Sequence, residues 1–310
     1  MNWPMNLENI NGILNLYKPN GITSQTAVNV AKRICGVKKA GHCGTLDPQA
    51  TGVLPIMLGE AVKLSEFLVE HDKHYKAELV LGKETDTEDT TGVVMTEYTG
   101  ALPDFEQIKA AVASFVGDYM QTPPMYSALK INGMKLVDLA RDGVEVKREP
   151  RKIAIYSASV SENNGGLYLD VHCSRGTYIR TLCADIGKKL GCGACMGGLE
   201  RTKVGRFDIK NTVTLEKLRE LTREDIQKLV TPIDEAVDFF PAVRINDYSS
   251  RLIKNGCAVD IRKLRLNAPD NSIFRLYDSN GFFGIGIVEK HDDILALRQK
   301  KLFFSSPSST

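Results

Sequence analysis

Residues Lys39 to Pro55, Lys-Ala-Gly-His-Cys-Gly-Thr-Leu-Asp-Pro-Gln-Ala-Thr-Gly-Val-Leu-Pro, constrain this chain more than any other stretch. Glycines, a histidine and an Asp-Pro step are followed at once by an apolar run, the pattern of a loop feeding a buried element. Val53-Leu-Pro-Ile-Met-Leu-Gly continues it as that buried run, and Asp47 is the one carboxylate at its centre.

The flanking segments mix strand and helix periods. Gly12 to Lys18 reads as a short strand, Lys18-Pro-Asn-Gly as a turn, and Thr23 or Ser24 as the cap of a helix. That helix puts Ala27, Val28, Val30, Ala31 and Ile34 on one face and ends near Gly36. Glu60 to Glu70 has helical periodicity, and Lys73 to Gly82 alternates as a strand with Tyr75 near its start. Pro103 to Val116 reads as an amphipathic helix. Ile153 to Val160 and Gly166 to Cys173 read as strands around the hairpin signal Asn163-Asn-Gly-Gly. Ser174 to Gly187 is a turn feeding a helix, and Leu215 to Val230 is helical. Without regular βαβ alternation the pattern favours α+β over a doubly wound sheet. Asp238-Phe-Phe-Pro-Ala looks like a boundary, and Val243 to Phe304 alternates short strands with turns such as Asp278-Ser-Asn-Gly. The expected organisation is therefore 1–240 as the main domain and 241–310 as a small β-rich module.

Charge settles little by itself, because 40 basic and 38 acidic side chains nearly cancel. Any basic surface must come from clustering: Lys32, Arg33, Lys38 and Lys39 beside the glycine-rich loop; Lys130, Lys135, Arg141, Lys147, Arg148, Arg151 and Lys152; and Arg201 to Arg206. Each suits phosphate contacts or a solvated face. The N-terminus lacks a basic, apolar and small-residue targeting pattern, and no window approaches the roughly 20 apolar residues of a membrane helix. A soluble, cytoplasmic protein is expected. Seven cysteines, an odd number in a chain of this size, favour reduced thiols. Cys192-Gly-Ala-Cys195 could supply half a zinc site with His172 and Cys173, but a second close pair is missing. The alternating acids of Gly82 to Gly92 lack the closing glutamate of a calcium loop. No metal is expected.

Two residues stand out in otherwise core-like surroundings, Tyr178 and Arg180. A buried arginine needs a carboxylate or phosphate partner. Tyr75 is either a core tyrosine with its hydroxyl satisfied or a residue facing whatever its strand lines.

Gly44-Thr-Leu-Asp-Pro-Gln-Ala-Thr-Gly-Val-Leu resembles the signature of the TruB family of tRNA pseudouridine synthases, bacterial type. Lys18-Pro-Asn-Gly, Tyr75 with the Thr85-Asp-Thr-Glu-Asp loop, and Arg175-Gly-Thr-Tyr-Ile-Arg agree in the right order, over about Asn11 to Phe207. Pro124-Met-Tyr-Ser-Ala-Leu-Lys and the Leu-Glu-Arg step at Leu199 resemble it as well. The resemblance implies a pseudouridine synthase fold with a central mixed, largely antiparallel sheet, and a C-terminal PUA-like RNA-binding module. It implies conversion of uridine 55 in the tRNA T-loop to pseudouridine, with no cofactor, no metal and no obligatory protein partner. The implied catalytic residues are Asp47 as nucleophile, Arg180 as its cation and Tyr75 stacked on the base. Tyr178 and Leu199 would line the uracil pocket, His42 would fill the space left by a flipped base, and Asp89 and Lys18 would support the site. The rivals are a non-catalytic RNA-binding protein and a guide-dependent relative; the Asp47, Tyr75 and Arg180 set opposes the first, and the lack of long charged tails opposes the second.

Overall fold

The computed structural model describes residues 10–127, 129–131, 133–291 and 294–303. Residues 1–9 and 304–310 of the two expected units, Ala128 of the Pro124 block and the side chain of Lys135 lie outside the described residues.

One mixed sheet organises the larger part. Its main path runs Val213–Thr214, Gly12–Lys18, Thr51–Leu58, Ala194–Val204, Lys73–Leu81, Gly166–Cys173, Arg151–Asn163, Gly117–Gln121. Most neighbours are antiparallel; the parallel pairs are Gly12–Lys18 with Val213–Thr214 and Thr51–Leu58 with Ala194–Val204. This is the α+β architecture expected, with helices packed on the sheet. Thr23, rather than Ser24, caps the helix Ser24–Cys35 by accepting the Thr26 N–H at 3.0 Å, and Gly36 closes it in a left-handed conformation. Asp104 and Gln107 form a full capping box on Phe105–Ala113. The hairpin signal is realised between Asn163 and Gly166, with Asn164 and Gly165 both at positive φ.

Alternation along the strands sorts the core. Leu14, Leu16, Leu54, Ile56 and Leu58 pack on Ala27, Val28 and Ala31 of the first helix. Ala77, Leu79, Leu169 and Val171 pack on Ile179, Leu182 and Ile186 of the helix Ile179–Leu190, called here the Arg180 helix. Tyr75 touches both clusters, so it lies on the helix-covered face between them.

The C-terminal five-stranded sheet, from Ala242–Arg244 to Ile294–Leu302, has its own core of Ile253, Leu276, Val288 and Leu297. It is also joined to the larger part. Ile285 and Phe303 share a cluster with Ile13, Val53, Met57 and Phe67, and Lys301 pairs with Glu66 at 2.8 Å. Cys192 and Cys195 are free, buried thiols. No helix among the described residues is long and apolar enough to cross a membrane.

Gly52 marks the tightest point of the sheet. It has φ +103°, pairs with Lys18 on one side and Arg201 on the other, and a Cβ there would lie 2.2 Å from the Arg201 carbonyl oxygen. Neither backbone can retreat without breaking a ladder. Gly52→Ala should lose about 3 kcal/mol or more of stability in urea unfolding; an unchanged midpoint would contradict this packing.

Candidate active site

The glycine-rich loop is fixed in place by three polar side chains from three elements. Ser24, in the first turn of its helix, donates to the Leu46 carbonyl at 3.0 Å and accepts the Leu46 N–H at 2.8 Å. Lys18, fully buried, donates to the carbonyls of Pro19, Pro48 and Ala50 at 2.9, 3.1 and 2.7 Å. Burial pushes its ammonium down to about 8, while the charge of Asp47 pulls it back up. Three well-placed acceptors favour the charged form further, so Lys18 works as a cationic staple of the backbone around Asp47. From the other side Arg201, 1% exposed, donates to the carbonyls of Val53, Thr45 and Gly44 at 2.8, 3.4 and 3.2 Å. A loop rich in glycine would otherwise sample many conformations; these bonds select one.

Asp47 projects from that loop toward Arg180. The guanidinium meets the carboxylate side-on, Nε to Oδ2 at 3.1 Å and Nη2 to Oδ1 at 3.5 Å. Arg180 is 7% exposed, whereas the Asp47 side chain is 41% exposed. The cation is thus embedded and the anion open to an incoming molecule. Arg180 also donates to the carbonyls of Tyr126 at 2.8 Å and Thr87 at 3.2 Å, with Asp89 Oδ2 3.9 Å from Nη1. Asp89 is itself aimed by Thr87 Oγ1, Thr91 N–H and Thr91 Oγ1, all donating to Oδ1.

The Arg180 helix has no side-chain N-cap of its own. Gln121, buried at the end of its strand, takes over: its Oε1 accepts the Tyr178 N–H at 2.8 Å and its Nε2 donates to the Tyr178 carbonyl at 3.0 Å. This clamp fixes both Tyr178 and Arg180.

Asp47, Tyr75, Tyr178, Arg180 and Leu199 line one cavity of about 680 Å³. A register shift between Met196 and Leu199 lets Leu199 reach it. Desolvation holds the phenols of Tyr75 and Tyr178 above their ordinary values, so both are neutral around pH 7. Arg151, Lys152 and Arg175 stand at its edge. The cavity combines one carboxylate, the buried cations Lys73, Arg180 and Arg201, the rings of Tyr75, Tyr126 and Tyr178 and an aliphatic wall, which suits a flat polar ring joined to a sugar phosphate.

The other expected residues sit behind or beside it. Lys18 and Asp89 act through the loop and the guanidinium without lining the cavity. His42 lies on the short strand Ala40–His42, pairs with Ile56, and is half-buried outside the lining. Desolvation and the charge of Arg201 push its imidazole below the ordinary value, so it is neutral at pH 7. One expectation fails: Arg201 offers no phosphate contact, because its guanidinium is buried and committed to loop carbonyls. Its place could be read from strand alternation, which puts it on the Leu199 side. Ser24 and Gln121 carried no such signal.

The model of the TruB family pseudouridylate synthase N-terminal domain matches residues 32–179, and that of the tRNA pseudouridylate synthase B C-terminal domain matches 180–238. Together with the fold, these define a pseudouridine synthase, an isomerase. The chain is 46% identical over 278 residues to tRNA pseudouridine synthase B of Clostridium tetani (strain Massachusetts / E88), covering 89% of this chain and 95% of that one. It is 40% identical over 297 residues to tRNA pseudouridine synthase B of Caldanaerobacter subterraneus subsp. tengcongensis, covering 95% and 99%. Among solved structures, a chain of a Cbf5-Nop10-Gar1 complex is 26% identical with a TM-score of 0.73, covering 95% of this chain and 85% of that one. The chain belongs to the TruB family.

Gln121→Leu should cost about 2 kcal/mol of stability, the value of one unmade buried bond with a second lost, and should slow turnover more than it weakens RNA binding. Wild-type stability and rate together would refute the clamp.

Proposed function

We propose that this chain converts uridine 55 in the T-loop of tRNA to pseudouridine, with Asp47 as nucleophile and no cofactor. The observation that carries the reading is a half-exposed carboxylate fixed side-on by a buried arginine inside an aromatic-walled cavity. The relatives named tRNA pseudouridine synthase B supply the substrate class.

The reaction is an isomerisation, so its atoms balance within the substrate. The N1–C1′ bond breaks, the uracil turns, C5 bonds to C1′, and the proton lost from C5 is matched by one gained at N1. A single ionised carboxylate can start this by attacking ribose C1′ or adding at C6 of the ring. On forming either adduct Asp47 loses its charge. Arg180 then keeps the carbonyls of Thr87 and Tyr126, with Asp89 nearby, and is not stranded. Tyr75 stacks on the uracil and assists removal of the C5 proton; Tyr178 and Leu199 complete the pocket.

A T-loop base is stacked, so it must leave the loop to reach Asp47. His42, neutral and beside the cavity, takes the space it vacates. The exposed cations Lys38, Lys39, Lys147, Arg151 and Lys152 hold backbone phosphates. Residues 241–310 act as a PUA-like RNA-binding module following a catalytic domain of residues 1–240. The enzyme works in the cytoplasm as a monomer without a protein partner.

Incubation with unmodified tRNA should give pseudouridine at position 55 and nowhere else; product at another position, or none, would refute the assignment. Arg180→Lys should lose most single-turnover activity while retaining tRNA binding, because a point charge cannot reproduce the planar fork. Wild-type rates in that variant would count against its role. Affinity for tRNA should fall at least about tenfold between roughly 50 and 200 mM salt; insensitivity would remove the phosphate contacts.

A further inference from the structure

The face of the main sheet opposite Tyr75 carries a cluster that the reaction does not use. His74 and His172 are direct partners across the antiparallel strands Lys73–Leu81 and Gly166–Cys173. Alternation sends both away from the side of Tyr75 and Val171. Asp72, just before the first strand, lies against them, its Oδ2 in contact with His172 Nε2. One ligand atom from each of Asp72, His74 and His172 falls within 4.8 Å of the other two, and all three residues are half-buried. Among the described residues no other set of three or more His, Cys, Asp or Glu side chains gathers in this way.

We propose that Asp72, His74 and His172 bind a divalent transition-metal ion, Zn²⁺ in particular, behind the catalytic cavity. Two imidazoles and a carboxylate are a borderline donor set that suits Zn²⁺ and disfavours Mg²⁺ and Ca²⁺, which demand oxygen. Three protein ligands leave a fourth position to water. The imidazoles now stack, with centroids 3.9 Å apart and planes 12° from parallel. Parallel rings aim their lone pairs side by side, so chelation needs one ring to turn about its Cβ–Cγ bond, a soft torsion. His172 is held by Asp72 and flanked by Tyr156 at 4.8 Å, so His74 is the ring that turns.

The cysteine pair does not contribute to this site. Cys195 pairs with Val80, whereas His74 pairs with Lys203, six residues further back along the same strand and roughly 20 Å away at strand spacing. Bound metal would clip together two neighbouring strands, one of which delivers Lys73 and Tyr75 to the cavity. It would stabilise the fold by mass action without entering the chemistry.

The test uses the full chain carrying Cys257→Ser, which removes the thiol that is exposed among the described residues. Titration with ZnCl₂ alone, followed by calorimetry and thermal unfolding, should show one site and a raised melting temperature. His74→Asn and His172→Asn, each checked for native circular dichroism, should bind at least about tenfold more weakly and lose the thermal shift; Asp72→Asn should behave alike. Equal affinity in the parent and both histidine variants would overturn the proposal, as would no binding by the parent up to millimolar Zn²⁺.

Discussion

The Arg180 guanidinium is almost wholly out of water, and a charge so placed must be surrounded by acceptors before anything else in the site can be arranged. Two backbone carbonyls and Asp89 meet part of that demand, leaving the Nε edge for Asp47. The asymmetry matters. The arginine is embedded and largely satisfied by groups that never react, while its carboxylate partner stays open to solvent. In the nucleophile role proposed for it, Asp47 can then change charge during a reaction without collapsing the structure that aims it. Coulomb attraction across such a pair is strong away from water, yet the cost of stranding the cation is avoided.

The same economy recurs in the loop that carries Asp47. Lys18 and Arg201 are buried cations whose donors end on backbone carbonyls, one from each side of the loop. Gly52 lies on the strand between theirs and lets the Arg201 strand close against it. Positive charge therefore surrounds the carboxylate without neutralising it directly, apart from Arg180. Supporting the loop by side chains from the sheet and the first helix gives it the rigidity that a catalytic constellation needs.

Much of this was legible in the chain. The alternating run after Lys73, the hairpin signal at Asn163 and a cap at Thr23 or Ser24 each rest on local physics, and the structure realises them, with Thr23 as the cap. Asp47 stood out as one acid in a glycine loop and Arg180 as an arginine in an apolar helix that needs a carboxylate or phosphate partner; that the two meet was implied by the family resemblance, and the structure brings them together. Arg201 was misread because a basic run looks the same whether its members face water or a buried carbonyl. Gln121 was invisible, since its role depends on a strand end meeting a helix start across 57 residues. The cross-strand pair His74 and His172 likewise depends on register, which no local pattern reveals.

On the proposed mechanism, one carboxylate performs the chemistry in a site built by other residues. The most direct test is single-turnover pseudouridine formation on unmodified tRNA by wild type and Asp47→Asn, with tRNA affinity measured beside it. The variant should bind within about threefold of wild type, a difference of about 0.7 kcal/mol, and form no product. Comparable product from both proteins would contradict it.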